Sequence, residues 1–196
     1  MRLPLLESSV PPDFLMKETK MTFSESAAPT LQALHDRLLR LEAVQSARTT
    51  LARYMHLCDQ PCDDRSFPQL ADLFTEDAIW EGIGPLYEGK FGRHQGPAAI
   101  TAFVGSYLAP SPHFKRNLHF LTSDQLHVVD GRGAVQGQWL MHQLSTYGAG
   151  GSEAITARLK VDFRPGLDGR WLIAHFRTER LECVPWNDPS TVGEAA

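Results

Sequence analysis

The chain has 196 residues, 42% of them hydrophobic and 21% charged, which is enough apolar material for one sizeable core in one domain. A formal charge of −4 leaves no basic field for nucleic acid or an anionic membrane, so neither is an expected partner. No apolar run approaches the roughly 20 residues of a membrane span, and the odd set Cys58, Cys62 and Cys183 argues against disulfides and for a reducing cytoplasm.

Residues 1–28 mix Pro, Ser, Glu and Lys without periodicity and read as a flexible tail, with too short an apolar run for a signal peptide. Order is expected from Ala28–Pro29–Thr30, with Thr30 as an N-cap. From there Leu34, Leu38, Leu41, Val44, Ala47, Leu51, Tyr54 and Met55 recur at spacings of three and four. That predicts an amphipathic helix with one buried stripe. It must stop by Gln60, because Pro61 disfavours helix in the residue before it.

Three acids, Asp59, Asp63 and Asp64, follow at the junction with a second helix. That helix is predicted over Phe67–Phe74, with Ser66 as its cap and Pro68 in its first turn. Ala78–Ile83 alternates as a strand, and the glycines between Gly84 and Gly96 imply a hairpin or lid-like loop. Pro97 opens a third helix, through Leu108, with Ile100, Phe103, Val104 and Tyr107 inward.

Everything after Pro112 reads as strands: 117–123, 125–129, 134–146, 153–163 and 170–183, divided by Asp130–Gly131, Gly148–Gly151 and Pro165–Gly169. Runs this long curl through bulges. Helices followed by a run of antiparallel strands form the α+β pattern, with helices on one face of a curved sheet and a pocket on its concave side. The domain is expected over residues 29–184, and 185–196 as a polar tail.

The junction itself, Asp63 followed by Leu70, Leu73 and Phe74–Thr75–Glu76–Asp77–Ala78, resembles the SnoaL-like family of the nuclear transport factor 2-like superfamily. So do Ile79–Trp80–Glu81–Gly82, Gly92–Arg93–His94–Gln95–Gly96 and Asp168–Gly169–Arg170–Trp171. The resemblance covers about residues 35–184. It implies a cone-shaped α+β fold, a curved antiparallel sheet wrapped by three helices, assembling as a homodimer or homotrimer through the exposed sheet face.

In dehydratase-like members a catalytic Asp opens that motif and a catalytic His lies on the strand after the third helix. The resemblance therefore points to Asp63 and His119, with Asp59 as a rival acid because of the extra residues Gln60–Pro61–Cys62. A carboxylate accepting the imidazole N–H fixes the tautomer, so the other ring nitrogen can take a proton next to a carbonyl; loss of a β-hydroxyl or halide completes an elimination. Isomerisation is open to the same pair, and no metal or organic cofactor is required.

The implied activity is that of a lyase or isomerase on a hydrophobic small molecule such as a steroid, polyketide or aromatic metabolite. A different role stays open under the same resemblance: a non-catalytic binding module, or the structural small subunit of a ring-hydroxylating dioxygenase. Pocket residues are expected to be Tyr54, Trp80, Phe103, Tyr107, Trp139, His142 and Phe176. Trp139 and His142 point to opposite faces of one strand, so both can line the pocket only across a bulge.

Overall fold

The computed structural model describes residues 28–60, 66–108, 113–129 and 133–186, and for residues 66 and 67 the backbone alone. Asp63, Asp64 and Cys62 lie outside the described residues, as do nearly all of the two predicted tails.

Helix α1 spans Leu31–Asp59. Thr30 caps it as its sequence type suggests, its Oγ1 accepting from the Ala33 N–H at 3.1 Å. Gln60 leaves the helix in extended conformation, at φ −92° and ψ 150°, as a residue before proline should. The single buried stripe expected along the whole helix is corrected. Burial begins only at Ala43 and continues through Ala47, Leu51, Tyr54, Met55 and Cys58, whereas Leu31, Leu34, Leu38 and Leu41 are 45–86% exposed. The inner sheet face packs only against the later turns, and among the described residues nothing covers the leucines of the first three.

Helix α2, Ser66–Ala71, is shorter than predicted. Strand β1 starts at Phe74 and runs to Ile83, and the Leu73 carbonyl accepts from Ile173 at 2.8 Å. Sheet pairing thus captures residues whose local pattern is helical. The glycine-rich loop contains a three-residue strand β2, Arg93–Gln95, antiparallel to β1. Gly96 then turns the chain at φ 81°, open to glycine but strained for other residues. Pro97 starts helix α3, Pro97–Gly105.

Four long strands follow: β3 Phe114–Val129, β4 Ala134–Tyr147, β5 Ser152–Pro165 and β6 Trp171–Pro185. The first of them joins two predicted strands. A register shift between Thr122 and Gln125 bends it, with Ser123 at φ 53°, so the expected break is a bulge. The six strands form one sheet in the order β2-β1-β6-β5-β4-β3. All pairings are antiparallel except β1 with β6, which is parallel, so the sheet is mixed and the wholly antiparallel expectation is corrected.

Burial alternates along β4 and β5. Trp139, Met141, Ile155, Ala157, Leu159, Val161 and Phe163 face inward under α1, and the residues between them face outward. That inner row is the floor of the core, and α1, α2 and α3 close over it.

Candidate functional site

Between the inner sheet face and the helices lies a cavity of about 450 Å³, within the size range of small-molecule sites. Helix α1 sends Tyr54, Met55 and Cys58 into it, and β1 sends Trp80. Helix α3 supplies Phe103 and Val104, the turn after it Tyr107, and β6 supplies Phe176. These rings hold one another. Trp80 stacks on Phe176 with centroids 5.6 Å apart, Phe103 meets Trp80 at 4.9 Å, and the Trp80 Nε1–H donates to the Tyr54 hydroxyl at 3.0 Å. Burial pushes the Tyr54 phenol well above its ordinary pKa, with the neighbouring Cys58 thiol adding to the effect. Tyr54 is therefore a neutral hydrogen-bonding group at working pH.

His119 lines the same cavity, from β3. Its Nδ1 lies 2.5 Å from Oδ1 of Asp59, the last residue of α1, and its backbone N–H donates to Oδ2 of the same carboxylate at 3.2 Å. The two side chains are only 10% and 18% exposed. A carboxylate acceptor calls for the proton on Nδ1, leaving the Nε2 lone pair free. Beside the histidine, Ser145 Oγ donates to Asn117 Oδ1 at 2.8 Å, and Gln143 Nε2 donates to the same oxygen at 3.0 Å. This polar row faces an otherwise apolar wall.

Of the predicted pocket residues, Tyr54, Trp80, Phe103, Tyr107 and Phe176 line the cavity. Trp139 and His142 do not, and both expectations are corrected. Trp139 is on the inner face but beyond the cavity, edge-on to Phe163. His142 is on the outer face, exposed, with its Nδ1 3.2 Å from the Thr156 hydroxyl. Asp59, the rival acid at the sequence level, is the one bonded to His119, and Asp63 lies outside the described residues.

Sequence reasoning missed several lining residues: Tyr87 and Lys90 from the β1–β2 loop, Asn117 and Gln143 from facing strands, and Arg180 from β6. The alternation of Asn117 with His119 on one strand face carried a signal for the polar row. Nothing local marked the loop residues. A second imidazole–carboxylate pair, His175 and Glu81 at 2.7 Å, sits on the outer sheet face, away from the cavity. Among the described residues no three His, Cys, Asp or Glu side chains gather as a metal centre would need.

The sequence matches the SnoaL-like domain model over residues 39–177. No curated protein matches it by sequence. Among solved structures, it is similar to the hexachlorocyclohexane dehydrochlorinase LinA-type3 of Novosphingobium barchaimii LL02. The identity is 20%, with 76% of this chain and 94% of that one covered and a TM-score of 0.63. An NTF2-like protein with a cystatin-like fold from Novosphingobium aromaticivorans is 21% identical, covering 79% and 92%, with a TM-score of 0.60. ActVI-ORFA of Streptomyces coelicolor is 16% identical, covering 70% and 96%, with a TM-score of 0.55. At such identities these likenesses speak to the fold. No helix among the described residues is long and apolar enough to cross a membrane.

Proposed function

The chain belongs to the SnoaL-like domain family, and from that premise we propose that it is a cofactor-independent lyase of the dehydratase type acting on a hydrophobic small molecule. The observation that carries this reading is the bidentate hold of Asp59 on His119 at the wall of an aromatic cavity.

In the proposed reaction His119 Nε2 takes a proton from the carbon next to a carbonyl. The electron pair left behind forms the new carbon–carbon double bond as the β-hydroxyl departs. The proton returns from the imidazolium to the leaving oxygen, which leaves as water. Asp59 holds the tautomer and balances the transient positive charge on the ring. Asn117 and Gln143 are close enough along the wall to receive a polar group of the substrate. A positioned base of this kind contributes roughly 10²–10⁴ in rate, and confinement in the cavity supplies much of the remainder.

The test is a dehydration assay on a panel of hydroxy-ketosteroids and polyketide-like β-hydroxy ketones, with the native protein and His119→Ala. Turnover by the native protein that falls in the variant supports the reading. Equal turnover by both removes His119 from the chemistry, and no turnover on any member leaves the binding-module reading in its place.

We further propose that copies associate through the outer sheet face, where Leu118, Phe120 and Leu140 are 37–53% exposed on adjoining strands. Light scattering on the native chain and on Phe120→Glu checks this. A native chain that runs as a monomer rejects it.

A further inference from the structure

The cavity has a second chemical character at the end opposite His119. Lys90, from the β1–β2 loop, and Arg180, from β6, both line it, and among the described residues no Asp or Glu does. The Arg180 guanidinium lies 5.0 Å above the Tyr87 ring centroid, and its Nε is buried without a hydrogen-bond partner. The Arg177 Nε is likewise buried without a partner, but Arg177 and Glu179, unlike Arg180, have ion-pair partners. Arg177 pairs with Asp162 and Glu179 with Arg158, both on the outer face.

Among the described residues no carboxylate comes within ion-pair distance of Arg180 or Lys90. After burial, the group that acts most on Arg180 is the Tyr87 hydroxyl; the one carboxylate that acts on it, Glu153, does so less and is engaged by the Tyr147 hydroxyl at 2.6 Å. A cation facing an apolar cavity without a counter-charge is costly. The group that would offset this cost is an anion brought in by the ligand. A guanidinium backed by an aromatic ring presents its N–H fork to such a group in the geometry a carboxylate matches.

The sheet register sets the separation. Arg180 pairs with Ala157, Ala157 with Met141, and Met141 with Leu121, the inward neighbour of His119 on β3. Three strand spacings, roughly 14 Å measured along the sheet, therefore lie between the two ends. Trp80, Phe103 and Phe176 are among the residues that line the cavity between.

We propose that the ligand of this cavity is a hydrophobic carboxylic acid, its carboxylate held by Arg180 with Lys90 at the rim and its apolar body lying along the aromatic wall toward His119. This rests on reading the cavity as the substrate site, and it requires nothing of His119 itself. One molecule of two or three fused rings spans the distance.

The test measures binding, through quenching of Trp80 fluorescence, of 2-anthracenecarboxylate and its neutral isostere 2-anthracenecarboxamide. The native protein is expected to bind the acid at least roughly tenfold more tightly, the scale of a charge-assisted pair. Arg180→Gln should abolish most of that preference and Lys90→Gln part of it, while affinity for the amide stays unchanged and so reports an intact fold. His119→Ala should keep the full preference, so a failed elimination assay and a failed anion site give different patterns. Equal binding of acid and amide by the native protein overturns the proposal. So does a preference that survives in the Arg180→Gln/Lys90→Gln double variant, or the absence of binding by either probe up to about 1 mM.

Discussion

One carboxylate, that of Asp59, holds both the side chain and the main chain of His119, a residue 60 positions later in the chain. Oδ1 meets the ring at Nδ1 and Oδ2 meets the amide, so the imidazole is fixed in tautomer, in rotation and in position along β3. Any substitution at residue 59 changes all three.

His119→Ala is expected to lower kcat by about 10²–10⁴ by removing the base. Asp59→Asn should lower kcat by about 10² and leave KM nearly unmoved, since the amide can still fill the space but cannot neutralise an imidazolium. Steady-state kinetics on a substrate found in the panel check both, and a pure KM effect would assign Asp59 to binding alone.

Tyr54→Phe removes the acceptor of the Trp80 indole N–H in a site where both rings are buried. The indole is left without a partner, and the expected loss is about 1–3 kcal/mol of stability. Urea denaturation followed by Trp fluorescence measures it. A Phe variant as stable as the native chain would mean that water reaches the indole.

Gly137 lies on the inner face of β4 with the six-membered ring of Trp139 folded over it, so that an added Cβ would overlap that ring and press on Leu126. Gly137→Ala should therefore destabilise by about 1–3 kcal/mol through overpacking, against the usual expectation that alanine improves a strand. Gly150→Ala, with open space around its Cβ position but φ of 97°, is the contrast: its cost is backbone strain alone. Thermal melts of the pair separate the two effects.

The Asp77 carboxyl is held below its ordinary value of 3.8, first by the hydrogen bond from Arg164 and then by that from Thr75. A depressed pKa means that the folded state favours the charged form. Its contribution is present above the unfolded value and is lost as pH falls through the folded one. Asp77→Asn should thus melt slightly below the native chain at pH 7, and the gap should close in acid. Because Asp77 is exposed, the difference is a small one. A gap of constant size across that range would point to side-chain packing in place of charge.

Local signals in the sequence announced much of the frame. Thr30, Pro61 and Pro97 mark helix ends through backbone chemistry that acts within a few residues, and the glycine and proline clusters divide the long strands for the same reason. The errors fall where distant pairing decides. Phe74 has a helical neighbourhood but is taken into β1, and β1 joins β6 in parallel, which no hairpin signal could encode. The choice between Asp59 and Asp63 depends on where the end of α1 meets β3, and the spacing of residues along the chain does not contain that. Strand parity correctly set Trp139 and His142 on opposite faces, yet it could not say how far along the inner row the cavity extends. Arg180, within the charged run Arg177–Arg180, reads in the sequence as part of a solvated or intersubunit face, because its place in the cavity is set by strand register and not by its neighbours in the chain.

Among the described residues, helix α1 is supported along only half its length. Its opening turns, with leucines facing solvent, gain little from the body of the molecule, and a stretch that short barely holds helical form by itself. Amide protons there should exchange through small local openings, whereas those from Ala43 onward should exchange only when the whole domain unfolds. Deuterium uptake would accordingly spread from Thr30 inward and halt many residues before Asp59, so fraying at the front of the helix would leave the acid's position undisturbed.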